Sequence, residues 1–206
     1  MKLTREIFSF SKKNTQVYIT PNWIDLSKDE SSIQLIDEEK EKYVALITEK
    51  RKKEFLLVRF LRNNFFPDKE IAYTETGAPY FKDKSYSISI SHSSTFIALA
   101  ATSEERIGID IELIQDKIIK LGPKFMHIDE IARVNPSNEV IQYTSFWCAK
   151  EALYKWSNIR GLSFQNDLVI HCDTSGNWHG KSTRISPCLI PLETLEFNNH
   201  ILCFTY

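Results

Sequence analysis

The most restrictive pattern in this sequence is a change from helical to strand periodicity near residue 66. Residues 36–65 form a charged stretch in which apolar side chains recur at helical spacing, and this predicts two helices. Residues 71–102 are instead rich in alternating apolar and small polar side chains, which predicts strands joined by turns at Gly77 and near Ser93. Helices followed by strands that close on themselves through short turns indicate an α+β fold.

The second half of the chain repeats this order of elements. It begins with a strong strand candidate at residues 106–114, RIGIDIELI. The elements predicted after it are helical pieces at 117–121 and 128–134 divided by Gly122 and Pro123, a longer helix capped by Ser137 or Asn138 that runs to about residue 158, and strands at 168–172 and 201–206. A break at residues 103–105 separates the halves. We therefore predict two pseudo-duplicated lobes, residues 1–104 and 105–206, each an antiparallel sheet packed with helices, although direct similarity between their sequences is too poor to establish a repeat.

The N-terminal segment carries weaker signals. Residues 16–25 predict a strand and turn, and Pro21 limits that strand to a sheet edge or places the proline at the strand end, because proline has no N–H to donate. Charges at Lys2 and Arg5 interrupt the apolar run that a signal peptide needs. We therefore expect a cytoplasmic protein.

Composition argues against several classes of protein. Lys and Arg number 26 against 27 Asp and Glu, so the net charge of -1 gives no reason to expect a protein that binds nucleic acid or a membrane surface. The apolar runs are far shorter than the roughly 20 residues of a membrane-spanning helix. The four cysteines contain no CxxC pair, and we interpret them as reduced core residues: Cys148, Cys172, Cys188 and Cys203.

Two carboxylates alternate on the strand GIDIE. Asp110 and Glu112 are two residues apart, so both side chains face the same side, away from Ile109 and Ile111. Neighbouring carboxylates repel each other unless a cation lies between them, and hard oxygen ligands suit Mg²⁺. The alternative is an exposed strand face whose acids meet solvent or lysines.

A second acid lies on the predicted helix FWCAKEALYKW. Glu151 and Lys155 are spaced four residues apart and share a helix face. Alone, such a pair is usually a surface ion pair. Beside the acidic strand, the helix can instead add a third carboxylate to a metal site and a cation that neutralises charge on phosphate oxygens.

Two further groups of side chains can meet an anion. In SISISHSS, the serines at 87, 89 and 91 share a strand face and His92 ends the strand, where it either donates to a phosphate or caps the hairpin. On the helical stretch, Arg51, Arg59 and Arg62 can line one face around Phe55. That face either binds an anion or is solvated and balanced by nearby glutamates, namely Glu38, Glu39, Glu41 and Glu54.

Taken in order, these motifs resemble the 4′-phosphopantetheinyl transferase superfamily, specifically its two-lobed, Sfp-type members. The resemblance covers residues 51–162 through RKKEFLLVR, GAP, SISHS, GIDIE and FWCAKEALYK, followed by Gly161 and Leu162. It implies two similar α+β lobes with coenzyme A and Mg²⁺ in the cleft between them. The implied reaction is Mg²⁺-dependent transfer of 4′-phosphopantetheine to a serine of an apo acyl, polyketide or peptidyl carrier protein, with release of 3′,5′-ADP, as in a holo-acyl-carrier-protein synthase. A two-lobed chain forms that cleft by itself, so we expect a monomer.

The resemblance also implies residue roles. The implied metal ligands are Asp110, Glu112 and Glu151; the catalytic residues are Asp110, Glu151 and Lys155; and the coenzyme A contacts are Arg51, Arg59, Ser91, His92 and Lys155. Glu151 would accept the serine proton directly or through water. Lys155 would stabilise the leaving 3′,5′-ADP, and Arg51 and Arg59 would meet the 3′-phosphate end. The same motif carries Lys150 without an evident task.

One residue departs from the family pattern. The family often has Gly-Lys-Pro where this chain has Ala78 between Gly77 and Pro79, so a cation that contacts the cofactor is missing. Lys82 or Lys84 replaces that charge, or coenzyme A is held more weakly. Two alternatives to transfer remain. The missing lysine keeps open a coenzyme A-binding protein with impaired catalysis. The acids, followed by Glu and Lys, keep open a metal-dependent nuclease, which the balanced charge disfavours.

Overall fold

A computed structural model describes residues 7–24, 33–182, 184–185 and 188–206. The helices are α1 (Asp37–Ala45), α2 (Glu49–Phe65), α3 (Lys117–Phe125), α4 (Ile128–Ile131) and α5 (Glu139–Ser157). The strands are β1 (Phe8–Lys12), β2 (Thr15–Pro21), β3 (Ile71–Tyr73), β4 (Pro79–Phe81), β5 (Ser87–His92), β6 (Phe96–Thr102), β7 (Ile109–Leu113), β8 (Leu168–Cys172), β9 (Trp178–Ser182), β10 (Ile190–Phe197) and β11 (His200–Thr205). Helices packed on antiparallel sheets confirm the predicted α+β class.

Two antiparallel sheets organise these strands. The first has the order β1-β2-β6-β5, the second has the order β7-β11-β10-β9-β8, and β3 and β4 form a separate hairpin. In each half, one strand precedes the helices and four strands follow them. The last of these four strands pairs with the strand before the helices, so that β6 pairs with β2 and β11 pairs with β7. The sheets differ in strand number, and the predicted pseudo-duplication and the boundary at residue 104 remain predictions.

Alternation along the strands produces a core shared by the two sheets. On β6, Ile97 and Leu99 face the core under α2, whereas Phe96 and Ala98 face the second sheet. On β7, Ile109 packs into the same shared core. Because both sheets bury a face there, the adjoining edges of β5 and β7 are held side by side.

Helix α5 lies unusually close to the start of β7. A side-chain carbon added to Gly108 would be 1.8 Å from the carbonyl oxygen of Ala152, so only glycine fits there. The helix ends at Ser157, because the next residue, Asn158, has a left-handed conformation (φ 52°) that stops it. This confirms the predicted end near residue 158. This contact brings the face of α5 that carries Lys155 against β7.

The predicted division of the helical segment at Gly122 and Pro123 is wrong. Helix α3 continues through both residues to Phe125, where the amide of Met126 still bonds to the Gly122 carbonyl at 2.8 Å. Gly122 is needed for packing, because an added carbon would be 1.9 Å from the Tyr143 ring. Pro123 lies in the last turn, where one lost donor is tolerated.

Other local predictions had mixed outcomes. Helix α5 begins after Asn138 rather than Ser137, because a 3-10 turn occupies Pro136–Asn138. Pro21 ends β2, which lies between β1 and β6 and is therefore not an edge strand. The end of the predicted turn, at residue 25, lies outside the described residues.

Three strands and the exposure of two cysteines were not anticipated. Strands β1, β9 and β10 lacked a signal that we recognised. Cys148 and Cys203 are buried as expected, but Cys172 and Cys188 are exposed, so the core prediction is wrong for that pair. Among the helices that the structure describes, none is long and apolar enough to cross a membrane.

Candidate active site

Asp110 is the centre of the candidate site. It lies on the edge strand β7 and only 4% of the residue is exposed. One carboxylate oxygen, Oδ1, accepts hydrogen bonds from Ser91 Oγ at 2.7 Å and from Lys155 Nζ at 2.8 Å. The other oxygen, Oδ2, is buried and has no hydrogen-bond partner among the described residues. A buried carboxylate oxygen without a partner is an unfavourable arrangement that a bound cation would relieve.

Lys155 reaches the site from the last turn of α5. Its Nζ donates to Asp110 Oδ1 and, at 2.9 Å, to the backbone carbonyl of Ile109. A lysine ammonium has three donors, so one remains after these two bonds. The simple alternative of a surface Glu151–Lys155 pair is therefore wrong for the lysine, whose partner is Asp110.

Two further carboxylates lie close enough to interact electrostatically with Asp110. Burial raises the pKa of Glu112, and the charge of Asp110 raises it further. A 2.8 Å hydrogen bond from Trp147 Nε1 lowers this pKa and so opposes the shift. Burial likewise raises the pKa of Glu151 to about 7, and Asp110 adds to the shift while Lys155 opposes it. The three acids therefore share one lysine and carry excess negative charge.

The metal prediction can be compared with these positions. Within the described ranges, no three His, Cys, Asp or Glu side chains are arranged so that they could hold a metal ion. Lys155 and Trp147 each engage one carboxylate oxygen, on Asp110 and Glu112. The donor chemistry nevertheless fits Mg²⁺, because the free Asp110 oxygen is a hard ligand and Mg²⁺ usually takes only one or two carboxylates with water and phosphate oxygens.

The predicted cofactor contacts of the first half surround one cavity. Arg51, Arg59 and His92 all line a space of about 330 Å³ together with Tyr73 and Glu54. A second cavity of about 240 Å³ shares Ile90 and Pro79 with it and reaches Lys155. The two cavities therefore adjoin each other, and the second extends to Lys155, which bonds to Asp110.

Arg59 is the most buried of these side chains. It is fully buried, its Nε donates to Glu39 Oε1 at 3.1 Å, and its Nη1 donates to the Tyr73 hydroxyl at 3.2 Å. Arg62 donates to the other oxygen of Glu39 at 3.0 Å, so two arginines share one carboxylate. Arg59 Nη2 has no partner in the described part of the chain. The solvated-face alternative is therefore wrong for Arg59 and Arg62.

Arg51 and His92 lie nearer to solvent than Arg59. The Arg51 side chain is 66% exposed and its Nη1 is 3.6 Å from Glu54. His92 Nδ1 is 4.0 Å from the same carboxylate. Glu54 is one of the glutamates predicted to balance this face, and it reduces the positive charge of this end of the cavity.

The structure separates Lys150 from the site and distinguishes the two candidate replacement lysines. Lys150 is fully buried and bonds to Glu130 at 2.8 Å and to two backbone carbonyls, which explains its place in the motif as structural.

Lys82 pairs with Glu38 and Glu70 at 3.0 Å each. Lys84 lines a cavity of about 690 Å³ that also contains Ala78 and Lys155.

The sequence did not reveal several of the site's contacts. The predicted cofactor contact Ser91 is 5% exposed and bonds to Asp110, and Trp147 holds Glu112. Glu39 was among the glutamates predicted to balance the arginine face, and its pairing with Arg59 confirms that part of the alternative. The burial of this pair left no local signal, because it is fixed by the packing of α1 on α2.

Comparison with known proteins bears on the second half of the chain. A search of curated proteins found no match. Residues 106–203 match the family model of the 4′-phosphopantetheinyl transferase superfamily, whereas the motifs RKKEFLLVR, GAP and SISHS lie outside the matched range. Asp110, Glu112, Glu151 and Lys155 all lie inside it. Over residues 106–203 the chain is therefore similar to the 4′-phosphopantetheinyl transferase superfamily.

Proposed function

We propose that this protein is an Sfp-type transferase that moves the 4′-phosphopantetheine arm of coenzyme A to a serine of an apo carrier protein. The observation that carries the proposal is the state of Asp110: one oxygen is fixed by Ser91 and Lys155, and the other is buried without a partner in the described residues. Such an arrangement suits a cation placed beside a phosphate-bearing substrate. The family match over residues 106–203 supports the same reaction class.

In this proposal the cleft between two lobes, residues 1–104 and 105–206, holds the reactants. Mg²⁺ would be held by Asp110 Oδ2 and by one further carboxylate, from Glu112 or Glu151, and would supply charge neutralisation for the pyrophosphate. Lys155, which keeps one N–H free of its two observed bonds, donates to a pyrophosphate oxygen and balances charge on the departing 3′,5′-ADP.

Glu151 is the proposed proton acceptor. Burial and Asp110 raise its pKa to about 7 in the metal-free protein, and a bound cation would keep the carboxylate ionised, as a proton acceptor must be. The serine hydroxyl forms a bond to phosphorus, the bond from phosphorus to the 3′,5′-ADP oxygen breaks, and the hydroxyl proton passes to Glu151 directly or through a water.

Coenzyme A would occupy the two adjoining cavities. Arg51, Arg59 and His92 meet its 3′-phosphate end, where Arg59 Nη2, which has no partner among the described residues, offers a buried donor. Lys84 is the better candidate to replace the lysine absent at Ala78, because Lys82 is engaged by two glutamates. A cytoplasmic monomer remains part of the proposal.

The test is incubation of the protein with coenzyme A, Mg²⁺ and several apo carrier proteins, followed by mass spectrometry. We expect at least one carrier to gain the mass of phosphopantetheine, and 3′,5′-ADP to appear in equal amount. Binding of coenzyme A without any transfer, with carriers that a known transferase can load, would instead identify a coenzyme A-binding protein that has lost catalysis.

A further inference from the structure

Three serines on β5 join the two sheets. Ser87 Oγ donates to the carbonyl of Glu105 at 2.8 Å, and the amides of Ile109 and Ile111 donate to Ser89 Oγ at 3.1 Å and to Ser91 Oγ at 3.4 Å. We call Ser87, Ser89 and Ser91 the serine seam. All three side chains lie on one strand face and bond to residues 105–111.

The seam has a clear structural reason. Strands β5 and β7 are edge strands of their sheets, and they do not pair with each other. The amides of Ile109 and Ile111 would therefore be buried without partners if the serine hydroxyls did not accept their hydrogen bonds. Serine can do this because its hydroxyl is both a donor and an acceptor.

Ser91 differs from the other two serines in one contact. Its hydroxyl donates to Asp110 Oδ1 at 2.7 Å, and Lys155 donates to the same oxygen from α5. Two donors from two different elements fix the orientation of this carboxylate, and only Oδ2 remains without a partner within the described chain. Ser89, in contrast, accepts from a backbone amide and makes no hydrogen bond to a carboxylate of the described residues.

We propose that Ser91 is a positioning residue that selects Asp110 Oδ2 as the metal-binding oxygen, rather than a residue that contacts coenzyme A. This inference rests on the proposed function, because it needs Asp110 to be a metal ligand. It also couples the two halves: a side chain of the first sheet determines how well the second half binds the cation. Outer-shell partners of this kind change metal affinity about 10- to 100-fold when removed.

The test compares Ser91→Ala with Ser89→Ala, which is a matched control because each variant loses one bond to a β7 amide. Binding of Mn²⁺, used as a paramagnetic substitute for Mg²⁺, is measured by water-proton relaxation with saturating coenzyme A and no carrier protein. We expect roughly 10-fold weaker Mn²⁺ binding in Ser91→Ala and a smaller change in Ser89→Ala. Ser91→Cys, which keeps the size and a weak donor, should give an intermediate affinity and covers the case in which Ser91→Ala does not fold.

A second titration measures coenzyme A binding in excess chelator, where no metal contributes. We expect Ser91→Ala to match the unaltered protein. The inference is overturned if both alanine variants lose Mn²⁺ affinity equally, if Ser91→Ala weakens only metal-free coenzyme A binding, or if the unaltered protein binds no Mn²⁺. If the Mn²⁺ pattern is as expected but no carrier protein is modified, the inference stands and the proposed transfer fails.

Discussion

The two halves of the molecule bury opposite excess charges. In the first half, Arg59 and Arg62 share the single carboxylate of Glu39, and Arg59 Nη2 has no partner in the part of the chain described. In the second half, Asp110 and its two acidic neighbours lie near Lys155, and Asp110 Oδ2 has no partner among the residues that the structure describes. A buried polar group without a partner costs about 1–3 kcal/mol, so each of these two atoms lowers the free energy of unfolding. The comparison suggests one ligand that brings an anion to the first half and a cation to the second.

The largest effect should come from removing Glu39. In Glu39→Gln, two buried arginines lose their only carboxylate, and arginine cannot discharge itself by releasing a proton. We expect the free energy of unfolding to fall by about 3–5 kcal/mol at every pH from 6 to 10. Denaturant titration across that range measures it.

Glu130→Gln is the matched variant in the second half, because Glu130 pairs with one buried lysine at 2.8 Å. Burial lowers the pKa of Lys150 in spite of this partner, so Lys150 can become neutral where arginine cannot. A lysine whose folded pKa lies below its unfolded pKa stabilises the fold increasingly as pH rises between the two values. The loss in Glu130→Gln should therefore shrink toward pH 10. An equal, pH-independent loss in both variants would mean that the two buried clusters do not differ in this way.

Asp110→Asn should have the next largest effect, on catalysis. Asparagine keeps the shape of the side chain and can still accept from Ser91, but it removes the negative charge that would hold a cation. We expect the rate of carrier modification to fall about 10²- to 10³-fold. Glu112→Gln is the control, since Trp147 already engages one of its oxygens and water can replace it as a ligand. Undiminished transfer in Asp110→Asn, with Mg²⁺ still required, would remove this residue from the mechanism.

Much of this architecture followed from local patterns, but the charge clusters did not. The period-two alternation of GIDIE placed Asp110 opposite Ile109 correctly, because that depends only on strand geometry. Helical spacing likewise found α2 and α5. What Lys155 and Ser91 contact depends on how two sheets meet, which no spacing in the sequence encodes. The same limit applies to Arg59, which helical spacing placed on a face that we described as either anion-binding or solvated.

Gly108→Ala tests how closely the second half depends on packing of α5. The added carbon would be 1.8 Å from the Ala152 carbonyl oxygen, so the helix that carries Glu151 and Lys155 must move. We expect a destabilisation of about 1–3 kcal/mol beyond the backbone effect. Gly108 has no positive φ, so the close contact and not backbone strain should dominate its loss. Gly176→Ala adds the same atom in open space, where only the positive φ of 83° costs about 1–2 kcal/mol. Unchanged thermal stability in Gly108→Ala would show that the close approach of α5 carries no energetic penalty.

The smallest effect should be the pH dependence that Glu151 gives to the metal-free protein. Its folded pKa of about 7 lies above the ordinary value of 4.5, so its contribution is fully present below pH 4.5 and is lost as pH rises through 7. We expect a loss on the order of 2 kcal/mol between those pH values, because partial exposure moderates the shift. Glu151→Gln should remove this dependence. Saturating Mg²⁺ should also flatten it, since a cation that binds the ionised carboxylate lowers the pKa of Glu151. If the free energy of unfolding still falls steeply with pH in Glu151→Gln, carboxylates other than Glu151 cause the pH dependence.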